Sequence, residues 1–282
     1  MNKGVAIVSS GGGMRCAYSA GVFYGLLEKY PDFEPEILIG SSGSSANVCY
    51  YATKQYKEIK QVWTRELHNS GIVSRFGFRI NVDYIIDNLL KKKWPLNLKK
   101  LKDSKTKVYV AVTNVSDGKT EYLTPNECDI FEALRAAKAI PFFYDEKVMI
   151  NGNSYIDSDI SSNVIKNSLK AISEGAKKII IIDNNHTISS SLTFLRLYSF
   201  LFNRRLKKIL DVVVEEYNEA SYPSDVSVLY IRPSNLSLGV CDVNKKRIES
   251  AFNSGYNDLY SNNKIDEFLF GSQKSILAHI KS

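Results

Sequence analysis

Ser42 stands at the apex of Gly40-Ser41-Ser42-Gly43-Ser44, where an apolar run, EILIG, passes through small residues into a helical pattern. A strand, a tight turn and a helix in that order can hold a serine oxygen out at the top of a sheet, the posture of an acyl-transfer nucleophile. A small-residue helix start would read the same way, and Ser44 replaces the glycine that would complete G-x-S-x-G. A second turn of this form runs from VAIVSS into Gly11-Gly12-Gly13-Met14-Arg15-Cys16. It exposes successive backbone N–H groups at a helix N-terminus, an outline shared by phosphate cradles, oxyanion cradles and plain tight turns. A dinucleotide fingerprint needs a glycine where Cys16 stands, and a Walker loop needs Gly-Lys-Ser/Thr, which the chain lacks.

A serine nucleophile needs a base. The histidines are His68 at the end of a helical stretch, His186 in a polar loop after IIIIDNN, and His279 near the C-terminus. Of these, His186 sits where a triad histidine commonly falls. The polar stretch 151–163, NGNSYIDSDISSN, adds Asp157 and Asp159. Asx-turn hydrogen bonds alone would account for both, and the stretch lacks the glycine and terminal glutamate of a calcium loop.

The elements that must position these groups alternate. Apolar β-prone runs predict strands at 4–9, 36–40, 107–114, 178–183 and 226–231, and helical patterns fall near 17–29, 44–67, 82–92, 127–138, 162–174, 204–220 and 244–262. That order predicts an α/β fold around a mostly parallel sheet. No Pro/Ser/Gly-rich linker or internal repeat interrupts the 282 residues, so one domain is expected over 1–282.

Composition narrows the class. At 44% hydrophobic and 24% charged, with 7 Pro and 16 Gly, the chain is neither disordered nor collagen-like. Four scattered cysteines form no C-x-x-C pair, which argues against a zinc ribbon or a disulfide scaffold and for a reducing compartment. No signal-peptide pattern or membrane span is read, so the expected location is cytoplasmic, peripheral to the inner membrane face. The net charge of +7 is matched by the stretch 91–107 alone, KKKWPLNLKKLKDSKTK. Its Lys91, Lys92, Lys93, Trp94, Lys99 and Lys100 suit an anionic membrane surface, and a solvated lysine-rich helix end is the plainer reading. The Leu/Phe-rich segment 192–210 fits a lid or a buried helix equally well. No nucleic-acid motif is present.

Taken in order, these pieces resemble the bacterial patatin-like phospholipases, acylhydrolases that pair a serine with an aspartate. Gly11 to Cys16 is similar to the family's G-G-G-x-R/K-G loop, and Gly40 to Ser44 to its G-x-S-x-G elbow. Ala133-Leu134-Arg135-Ala136-Ala137-Lys138-Ala139-Ile140-Pro141 is similar to its A-L-R-A-S-x-A-I-P helix end, and Tyr155-Ile156-Asp157-Ser158-Asp159 to its Y-x-D-G-G. The resemblance implies a three-layer α/β/α fold whose core spans roughly 4–175, with 176–282 packed on the same sheet. It further implies Ser42 as nucleophile, Asp157 as proton acceptor, and Gly11, Gly12, Gly13, Met14 and Arg15 around the oxyanion. The substrate would be a phospholipid or another acyl ester, with no cofactor and no metal. Cys16, Ser44 and the pair Ser158-Asp159 depart from the family's glycines, which keeps a weak or silent lipid- or protein-binding member as the alternative.

Overall fold

A computed structural model describes residues 2–69, 72, 80–141, 143–144, 147–184 and 222–271. The chain begins with β1 (Asn2–Ser9), α1 (Ala17–Lys29), β2 (Pro35–Gly40), α2 (Ser45–Ala52) and α3 (Tyr56–Gln61). There follow a π-helical turn Val62–Glu66, a π-helix Tyr84–Lys93, α4 (Leu98–Lys102), β3 (Lys107–Asn114), β4 (Thr120–Leu123) and α5 (Ile130–Ala136). The last described elements are β5 (Val148–Ile150), β6 (Asn153–Asp157), α6 (Val164–Ser173), β7 (Lys178–Ile182), β8 (Ser227–Ile231), α7 (Lys245–Ser261) and α8 (Lys264–Phe270).

All eight described strands join one sheet, in the order β5-β6-β3-β2-β1-β7-β8 with β4 on β3. The five strands expected from the apolar runs form its parallel centre, β3-β2-β1-β7-β8. Successive side chains alternate between faces. Val5 and Ile7 of β1 join the core beneath α1, α2, α5 and α7, whereas Ala6 and Val8 face the opposite layer with Val164 and Ala171 of α6. Three layers result. Asparagine and aspartate side chains start four of the helices: Asn97 accepts from the Lys100 N–H, Asp129 from Phe131, Asn163 from Lys166 and Asn244 from Arg247.

The structure corrects several expectations. The helix expected over 44–67 is broken, because Lys54 adopts a left-handed φ of 58° and ends α2. The antiparallel strands β4, β5 and β6 and the helices α4 and α8 are additional to the elements that the sequence pattern predicts. The segments 192–210 and 204–220 lie outside the described residues.

One register detail positions the site. Gly40 of β2 pairs with Val110 of β3, which on its other edge pairs with Leu123 of β4. Val112 pairs with Glu121 of β4 and with Asp157 of β6. A strand has two edges, so β4 fills one while β2 and β6 share the other end to end. Asp157 therefore occupies the place on β3 that the chain vacates when it turns away after Gly40 at the elbow.

Candidate active site

Ser42 is the first residue of a short 3-10 turn, Ser42–Ser44, that leads directly into α2. It is buried and holds a φ of 45°, a left-handed conformation that costs a non-glycine residue about 1–3 kcal/mol. Hydrogen bonds over-determine it. The Ser44 N–H donates to Ser41 O at 3.0 Å, and the Ser45 hydroxyl donates to Ser42 O at 2.6 Å. Asn167 Nδ2 donates to Ser41 Oγ at 2.8 Å, reaching across from α6.

The Ser42 hydroxyl donates to Asp157 Oδ2 at 2.7 Å. Asp157 is fully buried, and its other oxygen accepts the Asp159 N–H at 2.8 Å. Its main chain is fixed on both sides, by Thr113 Oγ1 donating to its carbonyl at 2.8 Å and by its own N–H donating to Ala139 O at 3.1 Å. Burial pushes the carboxyl up to about 6, against the lowering influence of its hydrogen bonds and of Lys138. A carboxylate so placed can take a proton from the serine it touches near neutral pH.

The glycine-rich turn lies beside the elbow. Among the described residues, the N–H groups of Gly12, Gly13 and Gly43 have no acceptor. Met14 and Arg15 are engaged elsewhere: the Met14 N–H donates to Val240 O at 2.8 Å, the Arg15 N–H to Gly12 O at 3.1 Å, and Arg15 Nε to Leu238 O at 3.0 Å. The donors left for an oxyanion are thus the glycine N–H groups and Gly43 on the elbow. A methyl at Gly43 would lie 2.6 Å from Gly13 O and 2.9 Å from Cys16 Sγ, so the two turns touch through main chain.

The family whose description is Patatin-like phospholipase matches residues 7–165, a span that holds the glycine-rich turn, the elbow and Asp157. The chain belongs to the patatin-like phospholipases. It is similar to the Uncharacterized protein YjjU of Escherichia coli (strain K12), 27% identical over 233 residues that cover 77% of this chain and 62% of that protein. Its fold is similar to that of VipD from Legionella pneumophila, with a TM-score of 0.56 at 13% identity, over 92% of this chain and 66% of that one. The chain thus spans just under two thirds of the length of either protein. The patatin-like fold is a mostly parallel sheet between helical layers, as described above.

The places where this chain departs from the patatin-like glycines are unstrained. Cys16 and Ser44 have φ of −65° and −79°, and neither Ser158 nor Asp159 has a positive φ. Ser44 even adds support, since its hydroxyl donates to Ser9 O at 3.1 Å and to Ser41 O at 2.8 Å. Burial pushes the Cys16 thiol up, which leaves it a packing group beneath Gly43. The Asp159 carboxyl lies against Gly11, where a methyl would come within 2.0 Å of Oδ2. Burial, then Asp157 and Asp183, hold that carboxyl well above the usual range.

An apolar cavity of about 80 Å³ opens onto Ser42 and Gly13. Its walls include Tyr50, Trp63, Ile85, Leu90, Phe143 and Val240, and its one charged lining residue among those described is Lys138. In the basic stretch, Lys92, Lys99 and Lys100 are exposed and carry no ion pair among the described residues, whereas Lys91 pairs with Asp87 and Lys93 with Glu66, each at 2.8 Å. Trp94 turns back to the protein and donates to Glu66 Oε1 at 3.2 Å. His186 and His279 lie outside the described residues. His68 follows the π-helical turn, and the serine hydroxyl gives its bond to Asp157 instead.

Sequence reasoning missed the buried amides that hold the turns. Asn184 accepts the Ser19 N–H at 3.0 Å and donates to Ser10 O at 2.7 Å, and Asn47 donates to Cys16 O at 3.1 Å while accepting from Trp63 at 2.7 Å. The available signal was an asparagine just past an apolar strand, IIIIDN, and another in the first turn of the elbow helix.

Proposed function

We propose that this patatin-like protein is a serine acylhydrolase of phospholipids or other acyl esters. The observation that carries the reading is the 2.7 Å hydrogen bond from Ser42 Oγ to a buried, proton-accepting Asp157. In this reaction Ser42 Oγ attacks the ester carbonyl and its proton passes to Asp157 Oδ2. The carbonyl oxygen, now negative, is met by the unoccupied N–H groups of Gly12, Gly13 and Gly43. Collapse expels the alcohol with the proton from Asp157, leaving an acyl-serine that water, deprotonated by the same carboxylate, then cleaves. The cavity beside Ser42 supports an acyl chain as the group held there, since its lining is almost wholly apolar. Lys92, Lys99 and Lys100 would meet the anionic membrane surface from which such a substrate comes.

The weak-member alternative drew on the altered glycines, and their ordinary backbone angles give it no support. The test is labelling of the purified protein with a fluorophosphonate, followed by peptide mass spectrometry. Stoichiometric adduct confined to Ser42, absent in Ser42→Ala, is the expected result. A folded protein that takes up no probe would overturn the reading.

A further inference from the structure

Lys138 is a charged group that the serine and aspartate chemistry leaves unused. It follows α5, and its neighbour Ala139 accepts the Asp157 N–H, so the two side chains spring from linked main chain. By surface area it is only partly buried, because it lines the cavity that Ser42 shares. Its ammonium donates to Ser45 Oγ at 2.6 Å and to Leu134 O at 3.3 Å, and among the described residues it has no ion pair. Ser45 passes the contact on, donating to the carbonyl of the strained Ser42 at 2.6 Å. A cation placed in an apolar wall is costly unless something nearby offsets it.

The surroundings of Asp157 show what does. From the elbow it faces the Ser42 hydroxyl, from the glycine-rich turn the Cys16 thiol, and from β3 the Thr113 hydroxyl. The Asp159 carboxyl lies beyond it in the next turn, and Asp183, past β7, bears on Asp159. Among the described residues, the cation that bears on Asp157 is Lys138. Burial pushes its ammonium down to about 8, with Asp157 among the groups drawing it back up, so it is charged at neutral pH.

We propose that Lys138 is a positioning residue for the site: its ammonium holds Asp157 as the carboxylate, and through Ser45 it braces the Ser42 turn. This rests on the assignment of Ser42 and Asp157 above. The two actions separate in a direct measurement. The ¹³C-carboxyl titration of Asp157, assigned by its loss in Asp157→Asn, is followed in the wild type, Lys138→Met, Lys138→Gln and Ser45→Ala, each checked for cooperative unfolding. Both Lys138 variants are expected to raise the Asp157 midpoint by about one pH unit or more, as removal of a nearby opposite charge does. Lys138→Gln can still donate to Ser45, so it supplies an uncharged control if the Met variant does not fold. Ser45→Ala, which keeps the ammonium, should leave the midpoint in place and lower only the plateau rate of probe labelling. On the acid side, labelling of Ser42 should fall about tenfold in the Lys138 variants and recover at higher pH. An unmoved Asp157 midpoint in either folded variant would overturn the proposal. A shifted midpoint in a protein that never labels at Ser42 would instead sink the hydrolase reading and leave Lys138 in its role.

Discussion

Gly43→Ala tests whether the elbow and the glycine-rich turn act as one unit. The added methyl would sit 2.6 Å from Gly13 O, about 0.8 Å inside ordinary van der Waals contact, and 2.9 Å from Cys16 Sγ. The obstacle on one side is main chain, so the strain cannot be relieved by swinging a side chain. One turn must back away from the other by most of that overlap, and the N–H groups of Gly12 and Gly13 move with it. A displacement approaching 1 Å between a nucleophile and its stabilising donors costs on the order of a hundredfold in rate, within the range seen when an oxyanion donor is lost. Overpacking of this kind costs roughly 1–3 kcal/mol in stability. The assay is the second-order rate of fluorophosphonate labelling at Ser42, read beside urea unfolding of the same sample. A hundredfold slower reaction in a protein that still unfolds cooperatively is the expected outcome. Labelling at the wild-type rate would show that the contact between the turns does not place the donors, and the oxyanion assignment would fall with it.

Four further outcomes follow from the same geometry. Labelling of the wild type should rise with pH through about 6, because burial holds the Asp157 proton on to that point. The folded carboxyl is raised above its unfolded value, so its favourable contribution is complete below about pH 4 and is lost as pH climbs through about 6; measured against Asp157→Asn, wild-type unfolding free energy should decline across that window by on the order of 2–3 kcal/mol. Ser42→Gly should unfold at higher denaturant than Ser42→Ala, by about 1 kcal/mol, reversing the usual order of the two residues because only glycine is relaxed at a φ of 45°. Replacing Lys92, Lys99 and Lys100 together by Gln should weaken binding to vesicles rich in anionic lipid by about a hundredfold, at about 1 kcal/mol for each lysine, read by co-sedimentation.

The parallel centre of the sheet was legible because buried strands are continuous apolar runs: VAIV, EILI and KIIII could hardly be anything else. The elbow was legible because small residues between such a strand and a helix have few other uses. The antiparallel strands β4, β5 and β6 were hidden by shortness and mixed polarity; TEYL and VMI carry too little apolar pattern to stand out from a loop. Asp157 was legible only through the family resemblance, since its partnership with Ser42 depends on strand register along β3, which local pattern does not encode. Lys138 was harder still. A lysine near a helix C-terminus reads as an ordinary dipole-matching surface charge, and only the folded structure shows it turned inward to Ser45.

The shared edge of β3 also bears on when the chain becomes chemically competent. A chain emerging from its N-terminus completes the glycine-rich turn, β2 and the elbow while residue 157 is still more than a hundred positions away. During that interval Ser42 is a hydroxyl without a base, beside a stretch of β3 not yet filled. The docking of β6 fills that edge of β3 and brings Asp157 to Ser42 in one event. On the proposed chemistry, a chain that ends before β6 would carry the serine without its carboxylate.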